Sequence, residues 1–487
     1  MIARLVSAGL ILAATLPAGC LPETRISWSP DGKLALVRGG DGLYLCDGDG
    51  KLSPRVAENV TAMAWLPDSR RFIAVTNQPL ATWDELVPHL SQARREAAMH
   101  EAAMYRAEAL AWKGDWQEFR FLTPPSDVRA ALVCLRDTHG KELEGLVGPK
   151  WSDLKDLRYT IQNVRLFDVA EGKATESKQL FESLEPIAEI RVSPGGKAFA
   201  WTAPPYPALG AEAAFALYVA PLADPEHPAK VTDRVSVFFD WAADGRTLVY
   251  ASTGQPDAGG AYRKAYLAGN EEPLVYRRQH MPESARGTPR LGFIFKCMVV
   301  DEDGSLVKDR SADAVAQVPF SDALPLRCLK TGRVLFAAPE VHLPVPAGTD
   351  PQHALSTAAL EKPNDVKPAP APEAASGVRY RLDLFQLSPD EMRLALFSSQ
   401  DRIAIVELAT GKVDAAPSEP AGLWPTQGGT SSGLPAWRSN QELCFVAVTK
   451  GAAGAKGRLE VVLWSREGAR VLSKDWPEAV RKGWLDR

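Results

Sequence analysis

Residues 26–36 read ISWSPDGKLAL, an apolar approach, a Ser-Pro-Asp-Gly turn, a lysine and a second apolar run. Pro30 presets φ for the first central position of a turn, Asp31 can accept hydrogen bonds from the backbone just downstream, and Gly32 accepts the positive φ at which a side chain would clash. Two apolar runs joined by four such residues spell a β-hairpin. The aspartate in the middle is a turn residue before it is anything else.

The phrase returns six more times: MAWLPDSRRFIAV from Met63, IRVSPGGKAFAW from Ile190, FDWAADGRTLVYA from Phe239, LRCLKTGRVLFAA from Leu326, FQLSPDEMRLALF from Phe385 and PAWRSNQELCFVAV from Pro435. Pro67, Asp68, Pro194, Gly196, Asp244, Gly245, Gly332, Pro389 and Asp390 fill the turn positions. After several copies a third aliphatic run follows, such as FALYVAPL from Phe215 or RIAIVELATGK from Arg402, and a weaker fourth one after that. One four-stranded antiparallel unit cannot bury both of its faces, whereas units repeated around an axis pack on each other and leave few open edges. The expectation is an all-β chain, a β-propeller of seven four-stranded blades over residues 24–475, with six or eight as the counts that the weaker fifth and seventh copies leave open. The Trp-Ser-Pro-Asp-Gly-Lys phrase, followed by two aliphatic strands, resembles the WD40-like repeats of TolB-type β-propellers. That resemblance implies a scaffold or binding domain, in some cases a module of an enzyme, and names no catalytic residue.

The chain has 487 residues, 45% hydrophobic and 24% charged, with 56 basic against 60 acidic residues. Such a balance offers no electrostatic footprint for nucleic acid. The N-terminus, MIARLVSAGLILAATLPAGC, places Arg4 before an apolar run that ends at Leu16 and then small residues, the anatomy of an export signal over residues 1–19. Ala18-Gly19-Cys20 resembles a bacterial lipobox, which implies lipidation at Cys20 and a tethered segment over residues 20–23. Pro17 stands where that motif prefers leucine, so cleavage after Ala18 with plain secretion, or an uncleaved anchor, remain the alternatives. The expected location is the cell envelope, attached to the membrane by lipid alone, or else soluble in the periplasm or outside. Cys46, Cys134, Cys297, Cys328 and Cys444 are scattered without a C-x-x-C pair and read as small buried hydrophobes.

Two stretches interrupt the repeat. Over residues 80–158, Thr82 and Glu85 stand in capping-box spacing ahead of an Ala-, Glu- and Arg-rich run, which predicts a helical hairpin inserted in the second blade, with Pro88 bending it or delaying its start. Leu86, Leu90, Ala93, Ala97, His100, Met104, Ala107 and Ala111 form its predicted apolar face, which either docks a partner or lies on its own blade. Residues 346–378 are rich in proline and alanine without aromatic anchors and read as an extended, disordered loop. Residues 476–487 remain as a C-terminal tail.

Several catalytic look-alikes are turned down on chemistry. His100-Glu101 lies on a helix, but Met104 stands where a zinc protease needs its second histidine. GTSSG at residues 429–433 satisfies a nucleophile-elbow pattern without the strand before it and the helix after it. DGDG from Asp47 and DEDG from Asp301 resemble the start of a calcium loop, but both fall where a propeller needs a hairpin turn. No catalytic residue, metal ligand or cofactor is nominated. Two functions follow: a noncatalytic, monomeric scaffold that binds an envelope protein or polysaccharide, supported by the lack of a C-terminal hydrolase domain after the last blade, or a hydrolase or lyase acting on an extracellular glycan or peptide, with carboxylates converging on the pore. A small-molecule sensor is the minor third.

Overall fold

The computed structural model describes residues 24–112, 128–147, 154–204, 215–253, 293–307, 316–318, 326–339, 353–361, 366–370, 380–398, 403–415, 434–449, 458–482 and 484–485. The export signal, Cys20 and GTSSG lie outside the described residues.

Each copy of the phrase becomes the inner hairpin of one blade, and there are seven. Blade 1 holds β1 (Ile26–Trp28), β2 (Leu34–Arg38) and β3 (Leu43–Asp47), its outer edge covered by an irregular segment in which Leu43 N donates to Ala57 O at 2.8 Å. Blade 2 holds β4 (Val60–Trp65), β5 (Arg71–Leu80), β6 (Tyr159–Ala170) and β7 (Lys173–Ser183). In blade 3, β8 (Glu189–Val192), β9 (Ala198–Ala203) and β10 (Phe215–Pro221) are followed by β11 (Ala229–Trp241). The long β11 is the outer strand of blade 3 and then the inner strand of blade 4, its pairing with β12 shifting register between Val235 and Phe239. Blade 4 continues with β12 (Thr247–Thr253), β13 (Phe293–Val299) and β14 (Ala316–Val318). Blade 5 holds β15 (Leu326–Cys328), β16 (Arg333–Pro339), β17 (His353–Ala359) and β18 (Val366–Pro368). Blade 6 holds β19 (Tyr380–Leu387), β20 (Arg393–Ser398), β21 (Ile403–Glu407) and β22 (Val413–Ala415), and blade 7 holds β23 (Ala436–Trp437), β24 (Leu443–Thr449), β25 (Arg458–Ser465) and β26 (Gly468–Val471). All neighbouring strands are antiparallel.

The core is divided among the joints. Leu36, Leu45, Met63, Phe72 and Phe167 fill the joint of blades 1 and 2, and Ala395, Ile405, Phe445 and Val462 that of blades 6 and 7. The remaining five joints have comparable clusters. At roughly 1.5–3 kcal/mol per fully buried large side chain, this inter-blade packing is the main stabilising term.

In the turns, Asp31 Oδ1 accepts from Ser29 Oγ at 2.7 Å and Lys33 N at 3.2 Å. Asp68 Oδ1 accepts from Arg70 N and Arg71 N, Asp244 Oδ1 from Arg246 N and Thr247 N, and Asp390 Oδ1 from Met392 N. Gly32 sits at φ 69°, and a Cβ there would meet Arg438 O at 2.5 Å. Asp47 and Asp301 each accept two backbone N–H bonds within their own loops, the geometry of a turn.

The insertion opens as its capping box and Pro88 predict: α1 (Trp83–Leu86), with Thr82 and Glu85 forming the capping box, gives way to a 3-10 turn at Pro88, and α2 (Gln92–Ala111) restarts from Ser91. Three differences from the sequence reading follow. The buried face of α2 is Ala98, Ala102, Tyr105 and Ala109, one residue round from the face assigned, and His100 is exposed. Tyr105 decides this, because its ring is buried with Cys134, Leu135 and Leu143 of α3 (Val128–Val147) while the smaller alanines admit either face. Nor is the pair an antiparallel hairpin. Ala98 shares a cluster with Ala130 and Val133, whereas Arg106 pairs with Glu142, so both helices advance in the same direction. Finally, the span 346–378 contributes β17 and β18 to blade 5. Leu355 and Ala358 are buried there.

Residues after blade 7 fold back over the joint with blade 1. Trp476 Nε1 donates to Gly50 O at 2.8 Å, Gly40 N donates to Val480 O at 2.9 Å, and Trp476, Val480, Trp484 and Leu485 are buried against Ile26, Tyr44 and Cys444. The short helix α4 (Glu478–Arg481) carries Arg481 into the interior.

Candidate functional site

The second residue of each phrase lies on an innermost strand: Ser27, Ala64, Arg191, Asp240, Arg327, Gln386 and Ala436. Innermost strands neighbour one another around the axis, β1 beside β4, β4 beside β8, β11 beside β15, and β23 back beside β1. Side chains alternate along a strand, so one position of the repeat supplies the ring that faces the axis. A cavity of about 300 Å³ opens there, lined by Ser27, Arg191, Arg327, Gln386 and Ala436, with Glu189, Phe238, Leu387, Leu434 and Trp437 around them.

Among the described residues, charge in this cavity is confined to blades 3 to 5. Arg191 Nε donates to Glu189 Oε1 at 3.0 Å and its Nη1 to Asp240 Oδ1 at 2.9 Å. Asp240 Oδ2 accepts from Cys328 N at 2.9 Å, which ties blade 5 to the same group. Burial opposes the charge on Arg191, but Asp240 and Glu189 outweigh it and raise its pKa above the ordinary arginine value. Arg327 has no such clamp. Its one hydrogen bond among the described residues runs from Nη1 to the neighbouring carbonyl of Leu326 at 3.0 Å. Burial first, then repulsion from Arg191, bring its pKa down to about 10. It stays cationic at neutral pH with guanidinium donors to spare.

Cys328 borders the group, and its thiol is pushed well above the ordinary cysteine value by burial first and Asp240 second, the reverse of an activated nucleophile. Cys46, Cys134 and Cys444 are likewise buried free thiols. A second cavity of about 260 Å³ lies where blades 2 and 3 meet the insertion, lined by the stacked rings of Phe181, Trp201 and Tyr218. Its polar side chains are paired, His89 Nδ1 with Glu182 Oε2 at 2.8 Å and Arg94 Nη1 with Glu185 Oε1 at 2.7 Å. Among the described residues no three His, Cys, Asp or Glu side chains gather to hold a metal ion, and no helix is long and apolar enough to cross a membrane.

The turn residues singled out in the sequence point away from this cavity's charged cluster, into their own loops; only Pro389 is part of its lining. The residues that matter were inside the quoted phrases. Aligning the seven copies and reading down their second position gives Arg, Asp, Arg in three consecutive blades, the signal that turn chemistry drew attention away from.

No protein-family model matches the chain, and none of the curated proteins matches it. Solved structures match in shape. The β-propeller domain of Cps50 (Swd1) from Myceliophteria thermophila aligns with 91% of this chain and 97% of its own, at 11% identity and a TM-score of 0.42. The β-propeller domain of the Trilobed protease from Pyrococcus furiosus covers 65% of this chain and 75% of its own, at 9% identity and a TM-score of 0.36. An oligogalacturonate lyase in complex with manganese covers 76% and 72%, at 11% identity and a TM-score of 0.38. These are likenesses of shape alone, and they bring no function with them.

Proposed function

We propose that this chain is an exported propeller, tethered to the cell envelope by lipid at Cys20, that works as a noncatalytic binding scaffold and receives its envelope partner, protein or polysaccharide, at the mouth of the axial cavity. The observation that carries the reading is the division of the cavity wall. Its carboxylates are committed to holding Arg191 and the Cys328 backbone, while the opposite wall, from blades 6, 7 and 1, carries no charge among the described residues and sets Leu387, Leu434 and Trp437 beside the neutral polar Ser27 and Gln386. A wall with a fixed charged side and an uncharged side orients a ligand. The export reading rests on the N-terminal pattern, with processing to a soluble periplasmic or secreted form as its variant.

One observation favours the hydrolase or lyase reading: Glu189 and Asp240 converge on the axis. Both, however, bond the same guanidinium, and Asp240 has its second oxygen engaged as well. General acid catalysis needs a carboxyl that can hold a proton toward the substrate, and a carboxylate locked to arginine is placed for the opposite.

Crosslinking and pull-down from native envelopes test the scaffold reading. Leu434 lines the cavity, so the wild-type chain should capture a specific partner and Leu434→Trp, which crowds the cavity, should lose it. Capture of nothing across salt and detergent conditions, or equal capture by both chains, would sink the reading.

A further inference from the structure

Resting on the cavity as the binding site, we propose that Arg327 recognises a carboxylate carried on an apolar group, the carboxylate meeting the guanidinium and the apolar part lying against Phe238, Leu387, Leu434 and Trp437. The geometry points to this class for three reasons. First, Arg191 and Arg327 share one cavity wall, but Glu189 and Asp240 both bond Arg191, and among the described residues Arg327 has a single carbonyl for its five N–H donors. A planar guanidinium in that state is built for a bidentate anion. Second, the four charges of the wall, Arg191, Arg327, Glu189 and Asp240, sum to zero, so one added negative charge meets a neutral cluster at its cationic end. A dianion such as phosphate would bring its second charge up against Glu189 and Asp240. Third, a cavity of about 300 Å³ admits a group of the size of one amino-acid residue or a small aromatic acid.

Such a carboxylate has two sources, a free organic acid or the C-terminus of a peptide chain, and the probes separate them. Isothermal titration calorimetry of the full processed chain is run with N-acetyl-L-phenylalanine, with its amide, with a tetrapeptide ending in phenylalanine with a free C-terminus, and with inorganic phosphate. We expect saturable binding of at least one free-carboxylate probe, none of the amide, and weakening as salt rises. Binding of the tetrapeptide alone assigns the site to a chain terminus; binding of the small acid alone, to a free acid. Arg327→Gln should weaken the binding about tenfold or more, and Arg327→Lys, which keeps the charge but loses the fork, should fall between. Because Arg327→Gln removes a cation that Arg191 repels, its thermal midpoint should not fall, which separates lost recognition from lost fold. Equal binding of acid and amide, tighter binding of phosphate, no binding of either free-carboxylate probe, or unchanged binding by Arg327→Gln would each overturn the inference. If it is overturned while Leu434→Trp still abolishes partner capture, the cavity remains the site and only the ligand class is wrong.

Discussion

Two kinds of joint hold this ring together. Between blades 1 and 2, Trp65 Nε1 donates to Ser27 O at 2.8 Å; between blades 3 and 4, Trp241 Nε1 donates to Arg191 O at 3.3 Å; between blades 6 and 7, Trp437 Nε1 donates to Gln386 O at 3.1 Å. In each, the third residue of one phrase reaches the carbonyl of the second residue in the phrase before it. Cys328 fills the third position in blade 5, and its Sγ lies 3.7 Å from the corresponding carbonyl, that of Asp240. At the joint of blades 7 and 1 the pattern fails. Trp28 occupies the right position, yet its buried Nε1 reaches no carbonyl among the described residues; the Cys444 thiol lies beside it, and Arg438 lies 5.3 Å over the ring.

Val192 and Leu387 hold the third position at the joints of blades 2 and 3 and of blades 5 and 6 and offer no side-chain N–H, so what sets the joint of blades 7 and 1 apart is its topology. Elsewhere the chain runs directly from one blade into the next, and at blades 3 and 4 a single strand belongs to both. Blades 1 and 7 are brought together from opposite ends of the sequence, and among the described residues no strand passes between their sheets. The C-terminal residues supply a substitute, a clasp of two tryptophans and a buried ion pair. Continuity of the backbone makes a joint cheap in conformational entropy, and its absence has to be offset by packing.

The largest effect expected from breaking the clasp is that of removing residues 476–487. The truncation exposes the faces that Trp476, Val480, Trp484 and Leu485 cover, a loss of about 5 kcal/mol or more and comparable with the margin of a whole domain. Hydrogen exchange should rise in β1–β3 and β23–β26 while β8–β14 keep their protection. A uniform rise around the ring would mean that the tail is not a joint-specific clasp.

Next comes Arg481. It is fully buried, with Nη1 bonded to Glu460 Oε2 at 2.8 Å and Ser473 O at 3.1 Å and Nη2 bonded to Leu459 O at 2.9 Å. Arg481→Ala leaves Glu460 buried and uncompensated, for an expected loss of about 3–5 kcal/mol in denaturant unfolding. The double change Arg481→Met with Glu460→Leu removes both charges and keeps the volume, and should recover most of that loss. If it does not, the pair holds the tail by direction and not merely by neutralising a buried charge.

The comparison also shows what a sequence can disclose. The hairpin phrase carried the fold because proline, aspartate and glycine act on their own backbone, within a few residues, and seven copies announced seven blades. The same locality hid the rest. Arg191, Asp240 and Arg327 are far apart in the chain and meet only because the sheets close into a ring. Nothing near Trp476 or Arg481 says that they face Gly50 and Glu460. The packing face of α2 was misassigned because alanine fits either side, and the choice rests with Tyr105 and its partners on α3. The composition around Leu355 and Ala358 is that of a loop, while their burial depends on neighbouring blades, Leu355 packing with Phe385 and Leu396 and Ala358 with Val249 and Ala251.

The smallest and sharpest test concerns the indole tie itself. Trp65→Phe keeps an aromatic ring in the joint, 5.5 Å from Phe72 in the wild type, but deletes the N–H that Ser27 O accepts. A partly buried carbonyl deprived of its donor costs about 1–2 kcal/mol. Trp28→Phe deletes an N–H that bonds no carbonyl, so its loss is confined to ring volume and to the contact with Arg438, which is worth about 0.5–1 kcal/mol. The two variants should therefore separate in hydrogen exchange more clearly than in global stability. Trp65→Phe should loosen β1 against β4 across an uninterrupted joint, and Trp28→Phe should leave the backbone of blade 7 as protected as before, because the clasp and not the indole holds that side. Loosening of blade 7 by Trp28→Phe equal to that of blade 1 by Trp65→Phe would show that all seven joints are closed by the same means, and the distinction between continuous and clasped joints would fall.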